Sequence, residues 1–224
     1  MGKRGVIIVA GGSGKRMQSS LPKQFLLLGG EPVVARTINT FAEALPGAEI
    51  VVVLPEEHIA LWRNLAARFD VAVHKCVAGG KERFHSVKAG IEALSEDVTS
   101  IFVHDGVRAL ISKKLIIRAA LAVDENEAVI PVVDVVDSYR RVTDSGSEIM
   151  PRSELRIVQT PQVFRSETLR CAYGQEFDTA FTDDASVVER MGVAITLIEG
   201  ERTNLKLTTP EDMEWAEWLL QKER

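Results

Sequence analysis

Six short runs of apolar residues punctuate the chain, and between them apolar positions recur at helical spacing. GVIIVA (5–10), EIVVVLP (49–55), VAVHKC (71–76), TSIFVHDG (99–106), EAVIPVV (127–133) and VAITLIEG (193–200) predict strands. Most are apolar at nearly every position instead of alternating, the mark of strands buried on both faces. The intervening stretches predict helices. PVVARTINTFAEA (32–44) opens on Pro32, which the first helical turn tolerates. A second helix reaches about Phe69, and a third follows the loop VAGGKERFHS to about Leu94. Ser112 is placed to cap a fourth. Further helices are predicted from Ser166, over DDASVVERMG with Gly192 as its stop, and over TPEDMEWAEWLLQK with Thr209 capping and Pro210 first. This strand–helix succession predicts an α/β fold with a mainly parallel sheet covered by helices on both faces.

The rhythm breaks between Asp134 and Phe164. DSYRRVTDSGSEIMPRSELRIVQTPQVF has no helical period, a turn at DSGS and β-prone pieces on either side. Two readings stay open: a surface hairpin, or an arm that reaches a partner subunit, since a lone two-stranded hairpin is marginal in water. With no repeat, linker or low-complexity tract, one domain over residues 1–224 is expected, with 134–160 as a subregion of it.

Composition narrows the partners. The chain has 27 basic and 32 acidic residues, a net charge of −5, so an anion site must be a local concentration of cations and no nucleic-acid partner is expected. Cys76 and Cys171 share no CxxC or Cys/His spacing, and His58, His74, His85 and His104 form no HxxxH pair. No apolar run approaches membrane-spanning length or signal-peptide form, so no membrane partner and a cytoplasmic location are expected.

Candidate chemistry gathers after the strands, where open parallel sheets bind ligands. The stretch VAGGSGKRMQSSLPKQF (9–25) looks like a phosphate cradle, yet Gly14-Lys15 is followed by Arg16, so it is not a Walker motif. Met17 stands where a dinucleotide fingerprint needs a glycine. Gly11, Gly12 and Gly14 let backbone N–H groups approach an anion that Lys15 or Arg16 can neutralise. AGGKERFHS after the third strand and HDGVR after the fourth would converge on the same rim. Asp105, at the end of a strand, is either a turn former or a Mg²⁺ ligand, and beside phosphate loops the metal is favoured. Lys23 sits between a proline and a phenylalanine that fix its path. Arg83, Arg152 and Arg156 could equally be surface arginines, and Lys206 is unremarkable by pattern. These residues point to an enzyme acting on phosphates with Mg²⁺.

Taken together, AGGSGKRM…PKQF, GGKERFHSV, VHDGVR, PVVDVVDS, RSELRIVQTPQ, TDDAS and EGERTNLKLTTPED resemble the 2-C-methyl-D-erythritol 4-phosphate cytidylyltransferase family over nearly the whole chain. The resemblance implies a Rossmann-like nucleotidyltransferase domain with a protruding β-arm that makes a homodimer. It implies transfer of CMP from CTP to methylerythritol phosphate, with pyrophosphate released, in the non-mevalonate route to isoprenoids. Carried over by position, Ala10, Gly11, Gly12 and Gly14 would wrap the CTP phosphates and cytosine, and Gly80, Lys81, Arg83 and Ser86 would form the cytidine pocket. Arg16 and Lys23 match the catalytic cations. Asp105 matches the aspartate near Mg²⁺ and the sugar alcohol, and Arg108 a substrate-side arginine. Ser138, Arg152, Thr160 and Lys206 match positions that hold the methylerythritol phosphate, Ser138 and Arg152 coming from the partner's arm. Here the fourth-strand motif has Ala109 where the family has a proline, which would loosen that loop, and Ser138 replaces a frequent threonine. A ribitol-5-phosphate cytidylyltransferase would share the glycine loop and PKQF. A catalytically silent nucleotide-binding subunit would share the fold, but could have lost any of Arg16, Lys23, Asp105, Arg152 or Lys206.

Overall fold

The computed structural model describes residues 2–12 and 21–222, so Gly14 and Arg16 lie outside the described residues. In chain order come β1 (Lys3–Val9), a 3-10 turn at Lys23–Phe25, and the short strands β2 (Leu27–Leu28) and β3 (Glu31–Pro32). Then follow α1 (Val33–Ala44), β4 (Glu49–Leu54), α2 (Glu56–Ala66), β5 (Lys75–Ala78) and α3 (Arg83–Ala93). The middle of the chain forms β6 (Val98–Asp105), α4 (Lys113–Glu125), β7 (Ala128–Asp134), β8 (Tyr139–Thr143) and β9 (Gly146–Met150). A 3-10 turn at Arg152–Glu154 leads to β10 (Arg156–Val158), β11 (Gln162–Arg165), α5 (Ser166–Ala172), α6 (Asp184–Glu189), β12 (Thr196–Glu199) and α7 (Pro210–Lys222).

The main sheet runs β10-β7-β11-β6-β1-β4-β5, with β12 on β7. Pairings β6–β1, β1–β4, β4–β5 and β7–β12 are parallel, while β11 enters antiparallel between β6 and β7, and β10 is antiparallel to β7. The unbroken apolar runs now have their cause. Val6 and Ile8 of β1, with Ile50, Val52 and Leu54 of β4, pack against Val34 and Ile38 of α1 and Leu115 of α4. The alternate residues Ile7, Val51 and Val53 pack on the opposite face against Val87 and Ile91 of α3. Each face removes its own set of side chains from water, so every position must be apolar.

Local signals for helix ends are obeyed. Ser112 Oγ accepts from Leu115 N at 3.0 Å, and Thr209 Oγ1 accepts from Asp212 N at 3.3 Å. α6 begins with a reciprocal capping box between Asp183 and Ser186 and ends at Glu189, with Gly192 at φ +81° closing the turn beyond it. Several boundaries differ from the sequence expectation, the sixth strand being trimmed from 193–200 to Thr196–Glu199. Pro32 caps α1 instead of entering it, and α2 stops at Ala66, short of Phe69. The third strand lies at Lys75–Ala78, not at 71–76, because Asn39 of α1 bonds Asp70 O and Ala72 N at 2.9 Å each and claims that backbone for a connection.

The segment with the broken rhythm forms the β8–β9 hairpin, a two-stranded sheet of its own. Its apolar side chains are open to solvent, Val142 at 84% and Ile149 at 72%. Among the described residues no helix is long and apolar enough to cross a membrane.

Candidate active site

At the carboxyl ends of β1, β5 and β6 the three expected loops meet around a cavity of about 310 Å³. Ala10, Gly11 and Gly12 line it from β1, Gly79, Gly80 and Lys81 from β5, and Asp105 from β6. Parallel pairing places them: Ala10 N extends the β1–β4 ladder to Val53 O at 2.9 Å, and Gly106 N bonds Val9 O at 2.9 Å. Ser86, in the first turn of α3, accepts from Gly80 N at 3.2 Å and donates to Glu82 O at 3.2 Å, folding the β5 loop onto the helix. A Cβ at Gly79 would stand 2.7 Å from Ser86 Oγ, so this close approach requires glycine.

Two lysines reach the cavity from opposite ends of the chain. Lys23 sits in the 3-10 turn whose Phe25 is buried and stacked on Trp62, centroids 5.9 Å apart. Its Nζ donates to Leu207 O at 3.0 Å. The next-door residue Lys206 projects into the cavity and pairs with Asp105 Oδ2 at 2.9 Å.

Asp105 is the electrostatic centre. Burial alone would raise its carboxyl's pKa, but Arg83 at 3.7 Å, Lys206 and Arg108 at 3.6 Å hold it well below the usual carboxylate range. It is therefore an anion under all ordinary conditions. Arg83 does not swing freely: both its Nη atoms fork onto the fully buried Asp184 at 2.7 Å, and Tyr173 Oη donates to the same carboxylate at 2.6 Å. Burial pushes His104 down to about 3, so its ring is neutral. With Nε2 donating to Arg108 O at 3.3 Å, Nδ1 accepts from the Thr160 hydroxyl at 2.9 Å, and Thr160 Oγ1 accepts from Asp105 N at 3.1 Å.

The structure thus brings together Ala10, Gly11, Gly12, Lys23, Gly80, Lys81, Arg83, Ser86, Asp105 and Lys206. Arg108 and Thr160 stand behind Asp105, outside the lining of the cavity as the described residues form it. Arg108 Nη1 is committed to Asn204 O at 2.8 Å, and its loop is held by Arg108 N to Asp105 O at 2.9 Å and Ile111 N to Arg108 O at 3.3 Å, without the family's proline. Ser138 and Arg152 lie exposed on the arm, where Arg152 Nη1 donates to Val136 O at 3.1 Å. Arg156 pairs with Asp134 at 3.2 Å on the surface. Sequence reasoning missed Asp184, Tyr173, Gln159 and Asn204. TDDAS and TNLK were visible as motifs, but nothing in them told which side chain turns inward.

Among the described residues no group of three or more His, Cys, Asp or Glu could cage a metal ion. A lone carboxylate beside phosphate-binding loops suits Mg²⁺, which keeps waters and is commonly carried by one or two carboxylates plus substrate phosphates.

No histidine lines the cavity among the described residues, so no imidazole base stands ready to make a nucleophile. A Rossmann-like sheet with cations and glycine loops at its carboxyl rim is the arrangement of a nucleotidyltransferase. The comparisons agree. Residues 5–222 match the family model described as 2-C-methyl-D-erythritol 4-phosphate cytidylyltransferase. Proteins of that name from Bacteroides thetaiotaomicron and Bacteroides fragilis are 50% and 49% identical, each over 97% of this chain and 100% and 99% of theirs. The crystal structure of 4-diphosphocytidyl-2C-methyl-D-erythritol synthase from Anaerococcus prevotii is 28% identical, with a TM-score of 0.84 over 98% of this chain and 96% of that one. The chain belongs to the 2-C-methyl-D-erythritol 4-phosphate cytidylyltransferase family.

Proposed function

We propose that the rim cavity is where this cytidylyltransferase holds CTP, and that Lys23 and Lys206 divide the work on the two reacting phosphates. The reaction is transfer of CMP from CTP to 2-C-methyl-D-erythritol 4-phosphate, a step of isoprenoid precursor synthesis. A phosphate oxygen of the acceptor attacks the α-phosphorus of CTP, the new P–O bond forms, and the α–β bridging bond breaks to release pyrophosphate. The attacking oxygen is already anionic at neutral pH, so no general base is needed. The difficulty is to bring one anion onto another and stabilise a crowded five-coordinate phosphorus.

Gly11 and Gly12 offer backbone N–H groups to the triphosphate with Ala10 lining the cavity beside them, and Gly80, Lys81, Arg83 and Ser86 enclose the cytidine. Lys23, with Arg16 from the neighbouring stretch of sequence, meets the charge that develops at the α-phosphate. Lys206 holds the attacking phosphate, and Asp105 orients the sugar alcohol. Mg²⁺, held by Asp105 and the nucleotide phosphates, would supply charge neutralisation when bound. Thr160 and Arg108 act from behind by fixing Asp105. Ser138 and Arg152 serve the acceptor from the partner's arm in a homodimer. The uncovered apolar residues of the β8–β9 hairpin support that reading.

The observation that carries the proposal is the meeting of Lys23 and Lys206, 183 positions apart, at one carboxylate-centred rim. The test is pyrophosphate release by the purified protein with CTP and Mg²⁺. Release is expected with methylerythritol phosphate and not with ribitol 5-phosphate, and Lys23→Ala should lower turnover by ~10²–10³ with folding intact. Near-normal turnover in Lys23→Ala would remove that residue from the mechanism. Release with ribitol 5-phosphate alone would change the acceptor, and silence with both would mean a nucleotide-binding subunit.

A further inference from the structure

We infer that two buried amides outside the cavity, Gln159 and Asn204, act as a clamp that positions Lys206 and Lys23 together for the transfer. This deepens the assignment of those lysines to the reacting phosphates and rests on it.

Residues 200–208 cross the rim between β12 and α7 without strand or helix. A chain without a ladder must take its rigidity from scattered hydrogen bonds. Here Gln159 supplies a two-point hold: its Nε2 donates to Glu201 O at 2.8 Å and its Oε1 accepts from Glu201 N at 3.1 Å. Asn204 supplies the next, its Nδ2 donating to Thr160 O at 2.8 Å. Gly200 N bonds Val132 O at 2.8 Å, and a Cβ on Gly200 would stand 2.5 Å from Gln159 Oε1, so the amide lies flush against the strap only over glycine.

What the strap carries makes the hold functional. Asn204 O accepts from Arg108, which flanks Asp105. Two residues on, Lys206 reaches Asp105. Leu207 N is tied to Val107 O at 2.9 Å, and Leu207 O receives Lys23 Nζ. A shift of the strap therefore moves both lysines at once. Gln159 and Asn204 are 4% and 0% exposed, and neither lines the cavity. Burying amides gains little net stability over a well-packed apolar pair, so what they contribute is geometry.

Steady-state kinetics on Asn204→Asp, Lys206→Ala and the double variant test this, with Gln159→Met as a second way to open the clamp should Asn204→Asp fail to fold. Asn204→Asp loses the donor to Thr160 O at nearly unchanged volume. We expect its KM for methylerythritol phosphate to rise about tenfold and kcat to fall tenfold to a hundredfold, the scale of a roughly 1 Å misplacement. KM for CTP should stay near the wild-type value, because the glycine loops are untouched. In the Lys206→Ala background the same substitution should raise KM for methylerythritol phosphate no further, since the clamp acts on that constant through Lys206. An additive rise in KM for methylerythritol phosphate in the double variant, or wild-type constants in both Asn204→Asp and Gln159→Met, would overturn the clamp alone. An unchanged KM for methylerythritol phosphate in Lys206→Ala would overturn the underlying assignment and the clamp with it.

Discussion

Asp183 and Asp184 are neighbours of one type with opposite fates. Asp183 caps α6, accepting from Ser186 N at 2.9 Å, and also takes Gln162 Nε2 at 2.7 Å. Asp184 turns inward, loses all contact with solvent and gathers the Arg83 fork and the Tyr173 hydroxyl. Removing the charge of this fully buried acceptor costs Arg83 its bidentate partner, so Asp184→Asn should destabilise the fold by about 3 kcal/mol in urea unfolding. Tyr173→Phe, which removes one donor and leaves the fork, should cost only about 1 kcal/mol. Equal losses in the two variants would contradict the pairing described. The same limit on what a sequence reveals holds at Thr160. The family match gives its hydroxyl a substrate contact, and nothing in the sequence showed that it also spans the Asp105 N–H and the His104 ring. Such roles depend on partners dozens of residues away, which local pattern does not carry.

At the scale of elements, Glu49 shows how charge joins strands at the end of the sheet away from the cavity. It opens β4 and meets Lys75 of β5, Lys3 of β1 and the Ser95 hydroxyl between α3 and β6. Burial opposes its ionisation, but Lys75, Ser95 and Lys3 outweigh it and hold the carboxyl at about 2, against an ordinary value near 4.5. The folded-state pKa is depressed, so the stability this group contributes is fully present above pH 4.5 and is lost as pH falls through about 2. Glu49→Gln should therefore be less stable than wild type at pH 6, and urea midpoints should show that gap narrowing by pH 2. A gap independent of pH would mean that packing, not charge, is responsible. Strand and cap positions were largely legible because burial on two faces and capping chemistry act locally. The displaced third strand was not: VAVHKC (71–76) reads as the strand and Val77-Ala78 as the start of the loop, whereas the Asn39 side chain from α1 holds residues 70 and 72 in a connection and pairing with β4 runs on to Ala78. The antiparallel insertion of β11 was likewise hidden, since strand direction is a property of the whole sheet.

For the whole molecule, the proposed dimer has a sharp test. If Arg152 serves the partner's cavity while Lys206 serves its own, Arg152→Ala and Lys206→Ala proteins are each nearly inactive. Mixed under exchange, they form heterodimers in which one site carries both defects and the other carries neither. Activity should return to roughly a quarter of the wild-type level at equal mixing. No recovery, with subunit exchange confirmed, would place Arg152 beside its own chain's cavity.

The bond from Lys23 Nζ to the Leu207 carbonyl spans 184 positions. During synthesis β1 and the glycine loop emerge early, and the carbonyl that fixes Lys23 arrives only after every strand of the main sheet has been made. A nascent chain therefore lacks this tie between the glycine-loop side of the rim and the strap until Leu207 has been added.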